Sequence, residues 1–237
     1  MFWQEQREEK SFTPDNEVLD LQFKLKCSTL PLDHAWSLCS ALKAAAPWIE
    51  TSRHTAIHLI HGAESGNGWM RPDDAENAVL HLSRRARFTL RLHRDQLPRA
   101  EQLVNLELDI DGHSLRSGEF KKHLLLPQAT VFARHVVTRE EISEEEFLQA
   151  LAPIIQAKGI TIRKMMGGRR HRFKTPDGYL TARSLMISDL DREESILLQR
   201  QGIGEHQLLG MGIFLPHKGI APVKDIDPQM LPPGYEE

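Results

Sequence analysis

The feature that most restricts what this chain can fold into is an element order that occurs twice. Residues 18–26, VLDLQFKLK, alternate apolar and polar, the period of a strand with one buried face. A turn at 30–33, LPLD, follows, with Asp33 as candidate N-cap. Residues 34–46 read as a helix that turns Trp36, Leu38, Cys39 and Leu42 to the core and closes near Pro47. Residues 54–61, HTAIHLIH, are strand-like and run into a Gly/Asn loop at 62–68. Further strands are expected at 78–82 and 86–93, the latter alternating Arg87, Thr89 and Arg91 against Phe88, Leu90 and Leu92. A short helix over 94–104 and a hairpin around Asp111-Gly112 complete a β-α-β-β-α-β series.

The series then returns. Residues 130–138 form a strand in which Val131, Ala133 and His135 alternate against Phe132, Arg134 and Val136. Ser143-Glu-Glu-Glu146 is a capping box for a helix that runs to about Lys158, with Gly159 as its C′ glycine. A short strand over 160–163, a hairpin (169–175 and 179–188) around Pro176-Asp-Gly178, a helix over 189–201 and a strand over 213–215 complete the second copy. The fold class is therefore α+β: two tandem ferredoxin-like (RRM-like) domains, 18–123 and 124–216, with a C-terminal Gly-rich loop. A polar N-terminal extension (1–17) and a Pro-rich tail (217–237) flank them.

The loop is GIGEHQLLGMG, residues 202–212, whose glycines are Gly202, Gly204, Gly210 and Gly212. A dinucleotide-binding turn runs from strand to helix, whereas this loop runs from helix to strand. No Gly-Lys-Ser/Thr follows it, which excludes a nucleoside-triphosphatase loop. A turn between two elements and a backbone surface for phosphate oxygens both fit its composition.

Composition narrows the class. The chain of 237 residues is 40% hydrophobic and 27% charged, ordinary for a soluble globular protein. No apolar run approaches a membrane span, the N-terminus lacks the apolar stretch of a signal peptide, and the two cysteines, Cys27 and Cys39, make neither a disulfide framework nor a zinc knuckle. A cytoplasmic location is expected. The net charge of −3 gives no general attraction to nucleic acid, but the charge is unevenly placed. Arg84, Arg85, Arg87, Arg91 and Arg94 form one basic cluster; Arg163, Lys164, Arg169, Arg170, Arg172 and Lys174 form a second; Glu140, Glu141, Glu144, Glu145 and Glu146 form an acidic one. Local basic patches decide whether a phosphate backbone can dock.

The chain resembles the CRISPR repeat-processing endoribonucleases of the RAMP superfamily, over about residues 18–216. The resemblance is carried by the first strand running into LPLDH (30–34) and a helix, by AIHLIHG (56–62), by SRRARFTLRL (83–92), and by SILLQ (195–199) with the Gly-rich loop and IFLP (213–216). It departs from the family in its N-terminal arm, its Pro-rich tail, and His206-Gln207 where the loop is expected to carry a basic residue.

That resemblance implies cleavage of CRISPR repeat RNA without a metal or cofactor. The 2′-hydroxyl beside the scissile phosphate attacks it, leaving a 2′,3′-cyclic phosphate and a 5′-hydroxyl. The reaction needs a base, an acid, and cationic or N–H donors for the charged intermediate. Three histidines are candidates for the base. His34 opens the first helix, whose N-terminus disfavours an imidazolium. His54 and His58 share one face of the following strand, with His61 on the other. Arg84, Arg85 and Arg87, and the hairpin residues Arg163, Lys164, Arg169, Arg170 and Arg172, are candidates for RNA binding. Precursor and mature guide RNA are the implied partners, with other subunits of a CRISPR effector complex beyond them. Two alternatives stay open at this point: a non-catalytic RNA-binding subunit, and a metallohydrolase using His54, His58 and His61.

Overall fold

The structure is a computed structural model, described here for residues 17–62 and 78–217. Strand β1 (Val18–Lys26) is followed by β2 (Thr29–Pro31), α1 (Ala35–Ala45), the single turn α2 (Trp48–Thr51), β3 (Ala56–Ile57), β4 (Val79–His81) and β5 (Arg87–His93). Next come the short α3 (Leu97–Ala100), β6 (Glu107–Ile110) and β7 (His113–Leu124). The second half holds β8 (Val131–Val137), α4 (Glu144–Gln156), β9 (Lys164–Thr175), β10 (Gly178–Ser188), α5 (Arg192–Gln201) and β11 (Phe214–Pro216). The N-terminal extension before Glu17, most of the 62–68 loop, and the tail after His217 lie outside the described residues.

The first sheet has the order β3-β5-β1-β7-β6 and the second β11-β8-β10-β9, with antiparallel pairing throughout. In the second sheet the outer β11 and β9 flank β8 and β10; in the first, β3 and β7 flank β5 and β1, and β6 extends the sheet beyond β7. β2 and β4 pair separately as a small two-stranded sheet.

Local details depart from expectation where tertiary contacts decide. The predicted strand at 54–61 reduces to Ala56–Ile57, continued by one ladder bond from His58 N–H to the Thr89 carbonyl (3.0 Å). The predicted helix at 94–104 is a four-residue α-turn between two 3₁₀ turns, because Pro98 interrupts the donor series. The short strand expected at 160–163 is absent; β9 begins at Lys164 instead, five residues before its predicted start. The capping boxes of α4 and α5 are both formed, the latter by Asp191 and Glu194. Asp33 does not cap α1. Its carboxylate accepts the backbone N–H of Lys174 on the outer strand β9, 2.6 Å away, and so ties the two halves together.

The alternation in β1 and β5 sorts their side chains cleanly. Leu19, Leu21 and Phe23 with Phe88, Leu90 and Leu92 enter the core under α1. Asp20, Gln22, Arg87, Thr89 and Arg91 face the opposite way, in register as Asp20 beside Arg91, Gln22 beside Thr89 and Lys24 beside Arg87. The halves do not have wholly separate interiors: Phe173 and Ala182 of the second sheet, and Leu209 and Met211 of the Gly-rich loop, belong to the core of the first. A second core lies between α4, α5 and the second sheet.

Candidate active site

The two halves also meet across the opposite face of the first sheet, and Arg91 is the anchor there. This guanidinium is 2% exposed. It grips both oxygens of Asp20 (2.8 and 2.9 Å) and donates through Nη1 to the carbonyls of Gln199 (2.6 Å) and Phe214 (3.0 Å), on α5 and β11. Four acceptors in fixed positions suit the fork of an arginine and no other side chain. Burial by itself would raise the pKa of Asp20, but Arg91, and after it His58, outweigh that and hold the carboxyl well below the usual carboxylate range. The sequence places Arg91 in a basic cluster; the structure makes it an internal strut.

One step along the same face, His58 Nε2 lies 3.5 Å from Asp20 Oδ1. Beyond it the face opens into a cleft of about 620 Å³ between the first sheet, β8 and the Gly-rich loop. Its polar lining is Gln22, Ser83 and Thr89, the histidines His58, His61 and His135, and the arginines Arg85, Arg87 and Arg134. Burial and charge are thus graded along one strand pair, from the enclosed Asp20–Arg91 pair to the open end at Arg87, which the cleft places beside three imidazoles.

His135 and Arg134 were not predicted as site residues, and a strict alternation would send them to opposite faces. The β8–β10 register shifts between Arg183 and Leu185, so that Arg134 and His135 together oppose Ser184. This β-bulge brings both to the cleft. His135 packs edge-on to Phe173 (4.8 Å between centroids) and His171 (5.5 Å), and its carbonyl accepts the Gly212 N–H at 2.6 Å. His61 was considered only as a metal ligand, yet it lines the same cleft.

The other predicted histidines are elsewhere. His34 is 2% exposed; its Nε2 accepts the Ile60 N–H (3.0 Å), and its Nδ1 therefore carries the proton, donated to the Pro31 carbonyl (2.9 Å). Both ring nitrogens are held by backbone, so His34 fixes the segment that carries His58 and His61 instead of facing solvent at a helix start. His54 takes a left-handed backbone (φ 56°) outside the cleft lining, and burial, with Arg200 and His93 adding to it, pulls its pKa down. Among the described residues no group of three His, Cys, Asp or Glu is arranged to hold a metal ion, and His54, His58 and His61 do not form one.

Of the first arginine cluster, Arg85 and Arg87 line the cleft, while Arg84 is exposed outside its lining. The second cluster runs along β9, the outer strand of its sheet. Arg163 pairs with Glu194 (2.6 Å), Lys164 with Asp189 (3.0 Å) and Arg172 with Glu140 (3.3 Å), while Arg170 donates to the Glu140 carbonyl. Arg172 also covers the Tyr179 ring at 4.2 Å. Arg169 and the adjoining Gly168 form a bulge opposite Ser184.

The Gly-rich loop proves to be a clasp. The N–H groups of Gly202, Ile203, Leu209, Gly210, Met211 and Gly212 all donate to carbonyls within the protein, leaving these six closed to a phosphate. Gly202 and Gly212 cross backbone to backbone, and a Cβ on Gly212 would overlap the Ile203 carbonyl. Gly210 presses on Leu59 and the Ile57 carbonyl at the cleft wall, whereas Gly204 meets nothing. Gln207, at the place where a basic residue was expected, donates to the Gln201 carbonyl and fills the loop.

Comparison with known proteins agrees with this architecture. Residues 19–219 match the family described as Cas6 Crispr. The chain belongs to the Cas6 family. A relative named CRISPR-associated endonuclease Cas6, from Myxococcus xanthus (strain DK1622), is 27% identical over 198 residues, covering 84% of this chain and 81% of that one. Three solved structures share the fold. One described as CRISPR associated protein Cas6 has a TM-score of 0.58 at 11% identity, over 85% of this chain and all of that one. A Cas6-related protein of Pyrococcus furiosus has 0.56 at 16%, over 83% and 97%. A third, described as an RAMP protein binding different RNA substrates, has 0.55 at 15%, over 85% and 100%. Among the described residues no helix is long and apolar enough to cross a membrane.

Proposed function

We propose that this member of the Cas6 family is an endoribonuclease that cuts CRISPR repeat RNA within precursor transcripts. The mechanism is metal-independent transesterification: the 2′-hydroxyl attacks the adjacent phosphate, the 5′-oxygen leaves, and the product ends in a 2′,3′-cyclic phosphate. The observation that carries this reading is the cleft in which His58, His61 and His135 share a lining with Arg85, Arg87 and Arg134. Imidazoles exchange protons near neutral pH, and guanidiniums bind phosphate oxygens and stabilise the charge that builds on them.

Within the cleft, His58 is the base. We assign the ring hydrogen to Nε2, which faces Asp20 Oδ1 at 3.5 Å, so that Nδ1 carries the lone pair that takes the 2′-proton. His61 or His135 protonates the leaving 5′-oxygen, and the three arginines hold the phosphate. His34 and His54 take no part in proton transfer. The first support for this division is that backbone groups hold both nitrogens of His34; the second is that His54 lies outside the cleft lining. Residues 18–123 and 124–216 act as two tandem ferredoxin-like domains clamped by Arg91 and the glycine clasp. Arg84 and the β9 residues extend the RNA surface beyond the scissile phosphate, and the product stays bound there.

The test is incubation of the purified chain with its genomic repeat RNA in excess chelator, with product ends mapped. One specific cut with a cyclic-phosphate end is expected. Tight binding without a cut would make the chain an RNA-holding subunit, and a cut abolished by chelator would make it a metal-dependent nuclease.

A further inference from the structure

We propose that Asp20 is a positioning residue for His58, and that the docking of the two halves through Arg91 sets this pair in place. The inference rests on the reading of His58 as the base. Three observations carry it. First, Asp20 and Arg91 are direct cross-strand partners, so the bidentate grip fixes the carboxylate with almost no freedom. Second, the oxygen nearer His58 is Oδ1, the one that accepts Arg91 Nε–H, and it faces Nε2 at 3.5 Å. A carboxylate held there favours the tautomer with hydrogen on Nε2, leaving Nδ1 basic. Third, Arg91 is itself held by the carbonyls of Gln199 and Phe214. Those carbonyls bracket the Gly-rich clasp in the chain, so the orientation of His58 depends on a clasp that has closed.

Stability alone does not account for the pair. A buried ion pair adds little net stability against its desolvation, so its placement behind a cleft histidine calls for another use. Among the described residues the cleft lining itself bears no carboxylate, and Asp20 supplies one to His58 from behind. Asp20 never touches RNA in this scheme; it acts through His58 alone.

The test has two parts. Ring ¹⁵N spectra of the parent, with His58 assigned through His58→Gln, report the tautomer directly and need no altered fold at Asp20. The expected form has hydrogen on Nε2; hydrogen on Nδ1 would overturn the proposal. Single-turnover cleavage by Asp20→Asn, with RNA affinity measured alongside, is expected to keep the affinity and slow the cut by at least about tenfold. An undiminished rate with RNA bound would also overturn it, while leaving His58 as the base. If His58→Gln cleaves at the parent's rate, the base has been misassigned and the positioning role falls with it.

Discussion

The two basic clusters look alike as strings of letters and differ in every physical respect. The first lies on a central strand, β5, packed between β3 and β1; the second lies on the outer strand β9. Along β5 and the turn before it the cluster is divided by depth: Arg91 is enclosed and bound to four oxygens, while Arg87 and, in the turn, Arg85 reach the cleft. On β9 the basic side chains are exposed; Lys164 and Arg172, and Arg163 just before the strand, pair with acidic residues of their own half. Position within the sheet therefore decides what a run of arginines is for. A central strand makes one of them a strut and aims others at a site. An outer strand leaves them as an adjustable surface whose exposed pairs contribute little to stability.

The largest expected effect comes from breaking the strut. Arg91→Ala leaves Asp20 as a buried charge without its partner and removes a donor from two carbonyls, and it should cost about 3–5 kcal/mol in denaturant unfolding. By contrast, Arg172→Ala on β9 should change unfolding by no more than about 1 kcal/mol. Equal losses at the two positions would erase the distinction between them.

Next in size is the cleft pair. Arg85→Ala/Arg87→Ala should weaken RNA binding and flatten its salt dependence by about one logarithmic unit for each phosphate left without its guanidinium. Arg169→Ala should have a smaller effect of the same kind. Filter binding across a salt series separates the two: a steeper loss from Arg169→Ala would shift the main RNA surface to β9.

Smaller still is an acid-range effect in the first turn of α5. Burial would raise the pKa of Glu194, yet the N–H groups of Asp191 and Thr161, and then Arg163, bring it down to about 2 from an ordinary 4.5. A folded value below the unfolded one stabilises the protein above about pH 4.5, and that contribution disappears as pH falls toward 2. Glu194→Gln should lower stability at pH 7 and flatten the dependence in that window. Urea midpoints at several pH values check this, and an unchanged slope would contradict it.

Much of the fold was legible because alternation and capping are local. The strand period in β1 and β5, the Ser143 box and the Pro176-Asp-Gly178 turn all depend on neighbours within a few residues. The lining of the cleft was legible only in part. His58 and Arg87 lie on faces of predicted strands, and Arg85 in the basic run just before one. Arg134 and His135 do not, because a bulge opposite Ser184 is set by pairing partners distant in the chain. The surroundings of His34 were hidden for a related reason: its position at a helix start is visible in the sequence, but the Ile60 N–H that occupies Nε2 comes from 26 residues away. The glycines marked the clasp correctly as a place of close backbone approach, while the use of its amides within the protein was settled by the fold.

The measurement closest to the central claim is single-turnover cleavage of repeat RNA by His58→Ala beside His34→Ala, with RNA affinity and thermal unfolding recorded for both. His58→Ala is expected to bind RNA and unfold like the parent but not to cut. His34→Ala should lose stability, by about 1–3 kcal/mol for a buried N–H left without its acceptor, and still cut once folded. Cleavage retained by His58→Ala and lost by a folded, RNA-binding His34→Ala would contradict it.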